Sequence, residues 1–208
     1  MLKLQQVKKS YSGHLILTIP ELHLPSGTFW IKGKNGSGKT TLMKIIAGQI
    51  PFEGTVVLQN ISLINDPVSY RKQISYAEAE PLYPGFLTGN ELLKFVQKVR
   101  KADNHRVKAV IDTWNIGRFI DNRIETYSSG MVKKLSLALA FLGHPKLILL
   151  DEPLITLEDV ALPILYQLMR DRVKEGTSFM ITSHQAFSEN DLLLTSKIVV
   201  ENQTTRIE

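Results

Sequence analysis

Cysteine is absent from this chain of 208 residues. A sequence without cysteine has neither a disulfide framework nor a thiolate metal site, and a cytoplasmic location is the default expectation for it. Low-complexity tracts, linkers rich in proline and serine, and internal repeats are also missing. These absences argue against a disordered protein and against a repeat protein.

Long apolar segments are missing as well. No apolar run approaches the roughly 20 residues of a membrane span, and residues 1–6 lack the apolar stretch of a secretory signal. Hydrophobic residues make up 43% of the chain and charged residues 22%. This composition suits one compact domain over residues 1–208, with ample material for a core.

The chain has only a modest excess of positive charge. Lysine and arginine outnumber aspartate and glutamate by 25 to 20, which gives a net charge of +5. That charge is compatible with nucleic acid or an anionic membrane surface, and equally with neither. Basic residues cluster only at residues 8–9, 98–101 and 133–134, so charge alone predicts no partner.

One glycine-rich motif dominates what the sequence does contain. It follows the apolar run 29–31, which is typical of a buried strand, and precedes residues 41–47, which are typical of a helix ending at Gly48. It fits the phosphate-binding pattern G-x-x-x-x-G-K-[ST] without a mismatch. Its residues are Gly33, Lys34, Asn35, Gly36, Ser37, Gly38, Lys39 and Thr40.

The chemistry of this motif explains its residue types. The glycines let backbone N–H groups approach phosphates at the positive end of a helix dipole. Lys39 supplies a charge for the β- and γ-phosphates, and the hydroxyl of Thr40 can ligate Mg²⁺. We include Thr41, the next residue, among the phosphate-binding residues. The alternative is a glycine-rich turn that binds nothing, which the flanking strand and helix make unfavourable.

The segments before this motif predict antiparallel strands. Apolar residues alternate at residues 2–7 and 15–19, with a turn at Ser12-Gly13 between them. Tyr11 is expected in the loop before the second strand. Its aromatic ring could simply pack at the edge of the sheet, or it could stack on a nucleobase.

The middle of the chain is predicted to be mostly helical. Strands are expected at residues 55–58 and 71–76. Thr88 and Glu91 then have capping-box spacing at the start of an amphipathic helix. Further helices are expected at residues 104–114 and 131–142, so that residues 84–142, approximately, form a helical subdomain.

The last third alternates strands and helices, which indicates a mainly parallel sheet with ligands at the carboxyl ends of the strands. The continuous apolar run 147–150 is typical of a strand buried on both faces. A helix is expected at residues 161–174, a buried strand at residues 178–181, and an edge hairpin from residue 197 onward.

Polar residues directly follow the two buried strands. Asp151 and Glu152 come after the first; in a phosphate-loop protein such an aspartate holds Mg²⁺, and the next carboxylate could take a proton from an attacking water. His184 comes after the second strand and is a candidate sensor of the γ-phosphate. A solvated acidic turn and a structural histidine are the alternatives.

With these motifs the chain resembles the ATP-binding subunit of an ABC transporter, over essentially its whole length. The matching features are Tyr11 as the adenine-stacking aromatic, residues 33–40 as the phosphate loop, Tyr127-Ser128-Ser129-Gly130-Met131 as the signature, residues 147–152 as the second nucleotide motif, and His184 as the switch histidine. The resemblance implies an α/β fold, namely a P-loop NTPase core with a mainly parallel sheet, an N-terminal antiparallel β subdomain and an inserted α-helical subdomain. It also implies ATP and Mg²⁺ as cofactors.

The resemblance further implies partners. In this family two nucleotide-binding subunits meet head to tail around two ATP molecules, and the second subunit is expected to be another copy of this chain. Ser128 and the N–H group of Gly130 would contact the γ-phosphate bound by the partner. Glu152 would be the general base, and His184 and Lys39 would act with it in catalysis.

An integral membrane permease is the other partner that the resemblance implies. The chain would then be peripheral at the inner face of the cell membrane, and nucleic acid is not expected to bind. Met131 and the lysines at 133 and 134 resemble a variant of many bacterial exporter subunits, so an exporter is favoured.

Three parts of the sequence depart from the family pattern; in the signature, Tyr127, Ser129 and Met131 differ. The signature usually reads Leu-Ser-Gly-Gly-Gln, but its two phosphate-contacting residues are kept here. The loop glutamine that touches Mg²⁺ is missing from residues 74–81, where Ala79 fills its place and Glu78 or Glu80 could stand in. Glu158 replaces an interface aspartate and could slow hydrolysis.

Two other functions were weighed against a transporter subunit. A soluble ABC ATPase of translation usually has two such domains in one chain, and one of DNA repair has long coiled-coil insertions; a member acting in cofactor assembly is the remaining soluble case. This chain has neither feature, which favours the transporter. A nucleotide-gated clamp that barely hydrolyses ATP is opposed by Glu152 and His184, whereas Ala79 and Glu158 leave it open.

Overall fold

The computed structural model describes residues 1–183 and 187–208. The strands are β1 (Leu2–Tyr11), β2 (His14–Leu24), β3 (Thr28–Lys32), β4 (Glu53–Leu58), β5 (Ile61–Ser62), β6 (Ile74–Ala77), β7 (Leu147–Asp151), β8 (Ser178–Thr182), β9 (Leu194–Glu201) and β10 (Thr204–Ile207). The helices are α1 (Lys39–Ile46), α2 (Pro67–Lys72), α3 (Gly89–Arg100), α4 (Asn104–Thr113), α5 (Ser129–Ala140), α6 (Ala161–Lys174) and α7 (Glu189–Leu192), with a 3₁₀ turn at Ile124–Thr126.

Across the described residues, the strands form two sheets. The smaller sheet has the order β2-β1-β4-β5 and is antiparallel. The larger sheet has the order β10-β9-β3-β8-β7-β6, in which all neighbours are parallel except β9 and β10. This arrangement confirms the predicted N-terminal antiparallel strands, the mainly parallel sheet and the C-terminal hairpin.

Strand β7 is buried on both faces, as its apolar run predicts. Leu147 and Leu149 pack into a cluster with α1 and the antiparallel sheet. Ile148 and Leu150 pack into a second cluster with residues from α3, α4, α5 and α6. Each such side chain stabilises the fold by about 1.5–3 kcal/mol. The end of β7, where Asp151 lies, is therefore fixed by core packing on two sides.

Helix α3 begins with the predicted capping box. The N–H group of Glu91 donates to the hydroxyl oxygen of Thr88 at 3.1 Å, and the N–H group of Thr88 donates to the carboxylate of Glu91 at 2.8 Å. These two bonds satisfy donors that the first turn of a helix leaves open. Helices α3, α4 and α5 all lie in the segment 84–142, where helical structure was expected.

The prediction of a strand at residues 71–76 is wrong in its first half. Helix α2 continues to Lys72, and β6 begins only at Ile74. The reason is a strong helix start: Asp66 accepts a hydrogen bond from the N–H group of Ser69 at 3.0 Å, and Pro67 occupies the first helical position. The hydrogen bonds from Ser69 also hold the pKa of Asp66 below its usual range.

Tyr11 lies in a strand, although the sequence predicts a loop at this position. It is the last residue of β1 and is paired with His14 of β2.

Among the described residues, we find no helix with the length and apolar character needed to cross a membrane.

Candidate nucleotide site

Three neighbouring parallel strands end at one edge of the larger sheet. Strand β3 ends at Lys32, β8 at Thr182 and β7 at Asp151, with β8 in the middle. The glycine-rich loop follows β3 directly. Because carboxyl ends of parallel strands meet at one edge, the loop and Asp151 lie on the two sides of β8.

The loop closes on itself around one lysine. The ammonium group of Lys39, the first residue of α1, donates hydrogen bonds to the carbonyl oxygens of Gly33 at 2.8 Å and Lys34 at 3.1 Å. Gly38 caps the helix with φ 105°, a left-handed conformation that suits glycine. A Cβ atom at Gly33 would lie 2.4 Å from the carbonyl oxygen of Val200. Glycine is therefore required at both ends of the loop.

The turn inside the loop has its own backbone bond. The N–H group of Ser37 donates to the carbonyl oxygen of Lys34 at 3.1 Å, and Asn35 and Gly36 between them are exposed. The backbone here is accessible to a ligand at the N-terminal end of α1, where the helix dipole favours an anion.

A cavity of about 430 Å³ lies over this end of α1. Its volume falls in the range of small-molecule sites. All but one of its lining residues are residues that the sequence predicts for the site, and Ile16 is the exception. The lining residues are Tyr11, Ile16, Asn35, Gly36, Gly38, Lys39, Thr40, Thr41, Asp151 and Glu152.

An aromatic ring forms one wall of this cavity. Tyr11 is 46% exposed and lines the cavity, so its ring is accessible to a ligand. The ammonium group of Lys9 lies 4.4 Å from the centre of the Tyr11 ring and contributes a cation–π interaction. Lys9 itself does not line this cavity but a separate groove.

The side chain of Asp151 is buried and bonded at both carboxylate oxygens. The hydroxyl group of Tyr76 donates to Oδ2 at 3.1 Å, and the hydroxyl group of Thr182 donates to Oδ1 at 2.5 Å. Burial, together with the carboxylate of Asp151, raises the pKa of Tyr76, so the phenol remains a proton donor. These bonds hold the carboxylate in a fixed orientation at the cavity wall.

Glu152 has an unusual backbone conformation. Its φ is 44°, in the left-handed region that is costly for a residue with a side chain. Its N–H group donates to the hydroxyl oxygen of Thr182 at 3.0 Å. Strained backbone of this kind persists where the surroundings impose it, and it is common at functional sites.

A second cavity, of about 390 Å³, adjoins the first, since Thr40 and Asp151 line both. Hydroxyl and carboxylate oxygens are the ligands that Mg²⁺ prefers, so this donor pair fits that ion. The turn after β6 completes the second cavity. The lining residues are Thr40, Lys44, Tyr76, Glu78, Ala79, Glu80, Leu82 and Asp151.

The two acidic candidates in that turn differ in their contacts. Glu78 accepts a hydrogen bond from the side-chain amide of Gln49 at 2.9 Å and lies 3.9 Å from the ammonium group of Lys44. Its carboxylate is thus directed to α1 and the residues that follow it. Glu80 is exposed and lines the same cavity beside Ala79, as Glu78 also does.

Behind this turn lies a buried lysine that the sequence did not single out for the site. Lys133 is 1% exposed, and its ammonium group contacts backbone carbonyl groups of both the turn and β7. Burial lowers the pKa of Lys133 to about 8, while the carboxylates of Asp151 and Glu152 act in the opposite direction.

The signature residues lie elsewhere on the surface. Ser128 is exposed and caps α5, and its hydroxyl oxygen accepts a hydrogen bond from the N–H group of Met131 at 3.3 Å. Gly130 packs against the backbone of Thr156, whose carbonyl oxygen would lie 3.1 Å from a Cβ atom there. Neither Ser128 nor Gly130 is among the described residues that line the first cavity, so one chain does not bring them to the glycine-rich loop.

Glu158 contacts the helix that carries the signature residues. Its carboxylate lies 3.3 Å from the ammonium group of Lys134 on α5, and its side chain is 73% exposed. The loop after β7 is therefore linked to the helix that carries the signature.

His184, the predicted phosphate sensor, lies outside the described residues. Four residues that hold the predicted site residues in place were missed by the sequence analysis: Lys9, Tyr76, Lys133 and Thr182. Each acts through a contact with a predicted residue, either Tyr11 or Asp151. A signal was available for Lys9, because residues two apart in a strand lie on the same face.

The chain is similar to proteins of one family. Residues 20–155 match the model of the family described as ABC transporter. The lantibiotic transport ATP-binding protein SrtF of Streptococcus pyogenes is 29% identical over 186 residues, which are 88% of this chain and 80% of that protein. The ABC transporter ATP-binding protein YtrB of Bacillus subtilis is 32% identical over 190 residues, which are 89% of this chain and 64% of that protein.

A solved structure has a closely similar fold. It is the dimeric structure of a post-hydrolysis state of an ATP-binding cassette bound to ADP and Pi. The TM-score is 0.85 with 20% sequence identity, and the match covers 100% of this chain and 98% of that one. At this identity the likeness shows the fold alone.

Proposed function

From the premise that this chain belongs to the ABC transporter family, we propose that it binds and hydrolyses ATP as the nucleotide-binding subunit of a membrane transporter. One observation carries the proposal. A single cavity is lined by the phosphate loop with Lys39, by Asp151 and Glu152, and by the exposed ring of Tyr11. These groups could hold a triphosphate, a metal ion, an attacking water and a nucleobase.

The phosphate loop would bind the triphosphate. Its backbone N–H groups and the N-terminus of α1 favour an anion, and no Cβ atom obstructs the approach at Gly36 or Gly38. The ammonium group of Lys39 is bonded to the carbonyl oxygens of Gly33 and Lys34. A phosphate oxygen carries more negative charge than a carbonyl oxygen, so the ammonium group would exchange these bonds for charge-assisted ones.

The base of the nucleotide would stack on Tyr11. The ring lines the cavity, and the ammonium group of Lys9 lies 4.4 Å from its centre. Ile16 adds an apolar surface in the same cavity. Adenine presents a flat aromatic face to such a surface.

Thr40 and Asp151 would hold Mg²⁺, which when bound would neutralise charge on the phosphates. The donor pair lines both cavities, and Tyr76 and Thr182 fix the orientation of the Asp151 carboxylate. Glu80 lies beside Ala79 in the second cavity and is our candidate for the place of the missing glutamine.

Glu152 would be the general base. It directly follows Asp151, lines the same cavity and has a backbone conformation imposed by its surroundings. A carboxylate in this place can accept the proton of a water that attacks the γ-phosphate. His184 would assist at the γ-phosphate, as the family resemblance implies.

A second subunit would complete the site. Ser128 and the N-terminus of α5 are exposed and lie outside the first cavity, which is expected if they serve the nucleotide of a partner. A head-to-tail dimer places one signature over each phosphate loop. The similarity of fold to a dimeric cassette supports this arrangement.

A membrane permease would receive the motion of the dimer. Support comes from the names of the relatives, among them a lantibiotic transport ATP-binding protein and an ABC transporter ATP-binding protein. The resemblance of Met131 and the following lysines to exporter subunits favours export. The chain would lie at the inner face of the membrane through that permease.

Mixing two inactive variants tests the shared site. Lys39→Met disables the phosphate loop, and Ser128→Arg disables the signature. A head-to-tail mixed dimer contains one intact site, so the mixture should recover about a quarter of the wild-type ATPase activity if the chains associate at random. Phosphate release measures this recovery. Activity no higher than that of the separate variants would argue against a site shared between subunits.

A further inference from the structure

Lys133 occupies a position where lysine is rare. It lies on α5, four residues after the first residue of that helix, and is 1% exposed. Lysine is almost never fully buried unless its charge is paired or fully hydrogen-bonded. A buried ammonium group therefore needs an explanation in its contacts.

Those contacts use all three donors of the ammonium group. They reach the carbonyl oxygens of Glu78 at 2.7 Å, Ala79 at 3.1 Å and Asp151 at 3.1 Å. Since these acceptors come from the turn after β6 and from the end of β7, one side chain of α5 joins three separate elements. The bonds compensate the cost of burying the charge.

The backbone that Lys133 holds forms part of the second cavity. Ala79 and Glu80 line that cavity with Thr40 and Asp151. The side chain of Ala79 has no polar group with which to hold the turn in place. The backbone bonds to Lys133, which is not among the lining residues of that cavity, do so instead.

The carboxylate and the backbone of Asp151 are fixed by different residues. Tyr76 and Thr182 bond the two carboxylate oxygens, whereas Lys133 bonds the carbonyl oxygen of the same residue. Loss of Lys133 would leave the carboxylate bonds in place and release the turn that faces it.

We propose that Lys133 is a positioning residue, which sets the distance between the turn at residues 78–80 and Asp151 and so shapes the metal side of the nucleotide site. The proposal rests on the function proposed above, because that function identifies the second cavity as the metal side of a nucleotide site. The restraint on the turn itself is a property of the chain without nucleotide, and it can be measured separately.

Hydrogen exchange of the nucleotide-free protein tests the restraint. Lys133→Met keeps the length of the side chain and removes its donors. Amide exchange at residues 77–82 should become at least about tenfold faster, since the turn opens locally without its bonds. Lys134→Met is the matched control, because Lys134 is the next residue on α5 and pairs with the exposed Glu158. Unchanged exchange at residues 77–82 in Lys133→Met would overturn the proposal.

Nucleotide binding tests the consequence for the site. A fluorescent ATP analogue is titrated with Mg²⁺ and, separately, with EDTA. Lys133→Met should weaken binding about tenfold with Mg²⁺ and less than about twofold with EDTA, so that a loss of at least about fivefold depends on the metal. Equal losses in both conditions would mean a general structural defect and would overturn the proposal.

A second variant guards against misfolding. Lys133→Gln retains an amide that can donate two of the bonds, and it should restore much of the slow exchange and of the metal-dependent binding. No rescue by glutamine in a folded protein, as judged by circular dichroism, would also overturn the proposal. A wild-type chain that bound no nucleotide would refute the proposed function, and the hydrogen-exchange comparison would still decide the role of Lys133.

Discussion

The hydroxyl group of Tyr76, at the end of β6, donates a hydrogen bond to the buried carboxylate of Asp151, at the end of β7, over 3.1 Å. The bond joins neighbouring parallel strands whose residues here are 75 positions apart in sequence. The bond restricts rotation of the carboxylate. The orientation of the candidate metal ligand therefore depends on a residue outside the nucleotide motifs.

Replacing Tyr76 by phenylalanine should destabilise the protein. The variant removes one hydrogen-bond donor from the buried carboxylate of Asp151. Such a loss costs about 2 kcal/mol. Urea unfolding measures the change in the free energy of unfolding. An unfolding free energy within error of the wild type would mean that the bond does not hold Asp151.

Thr182→Val should cost more than Tyr76→Phe, although valine has nearly the shape of threonine. The hydroxyl group of Thr182 donates to Asp151 and accepts from the N–H group of Glu152, so the variant loses two hydrogen bonds. The same unfolding experiment compares the two variants. The reverse order would contradict the assignment of these bonds.

Tyr11→Ala should weaken ATP binding and leave the binding of inorganic triphosphate unchanged. The ring is 46% exposed and lines the cavity, and stacking of a base on an aromatic side chain contributes about 1–3 kcal/mol. The expected loss of ATP affinity is roughly tenfold. Lys9→Met should give a smaller loss of the same kind, because it removes only the cation that contacts the ring.

The control for the Tyr11→Ala prediction is the ratio of the affinity for ATP to the affinity for inorganic triphosphate. If Tyr11→Ala weakened ATP and triphosphate equally, the ring would support the loop and would not contact the base. Competition against a fluorescent nucleotide measures both ligands in one assay.

Thr88→Ala should destabilise helix α3 by about 1 kcal/mol, the usual cost of losing an N-cap side chain. Hydrogen bonds from the backbone and side chain of Thr88 hold the pKa of Glu91 below its usual range. This stabilisation is present above the ordinary pKa of glutamate and is lost as the pH falls through the lowered value. In the variant the pKa of Glu91 should rise toward its usual value, which an NMR titration of the carboxyl carbon would detect. An unchanged pKa would mean that the backbone bond alone sets it.

Much of the fold follows from short stretches of sequence. The phosphate loop, the capping box at Thr88 and the buried strand β7 could be predicted because their signals are contiguous in the chain. The error at residues 71–76 comes from a local signal that the prediction omits: the helix start at Asp66-Pro67 carries the helix to Lys72, so Arg71 and Lys72 belong to α2 and only the residues from Ile74 form a strand.

The contacts within the site were harder to predict. The bond from Tyr76 to Asp151 and the bonds from Lys133 to the turn at Glu78 depend on which strands become neighbours. Sequence spacing contains no direct signal for such pairs. The sequence therefore predicted the groups that face the cavity, but not the residues behind them that hold these groups in position.

Glu152→Gln should bind ATP as the wild type does and lose turnover. A neutral amide cannot take the proton of the attacking water, and loss of a general base lowers the rate about 10²- to 10⁴-fold. The trapped nucleotide should also stabilise a dimer, so light scattering with Mg²⁺ and ATP should report twice the mass of 23.5 kDa. A monomeric variant with normal turnover would refute the assignment of Glu152.

Calorimetric titration of the chain with Mg²⁺ and ATP tests the central claim most directly, with Lys39→Met and Lys72→Met compared with the wild type. Lys72 is an exposed lysine on α2, so its variant controls for the loss of one charge. We predict saturable binding to the wild type and to Lys72→Met. For Lys39→Met we predict binding roughly tenfold to a hundredfold weaker, since charge-assisted hydrogen bonds to the phosphates are lost. Equal affinities for Lys39→Met and the wild type, or no binding to the wild type, would contradict the account.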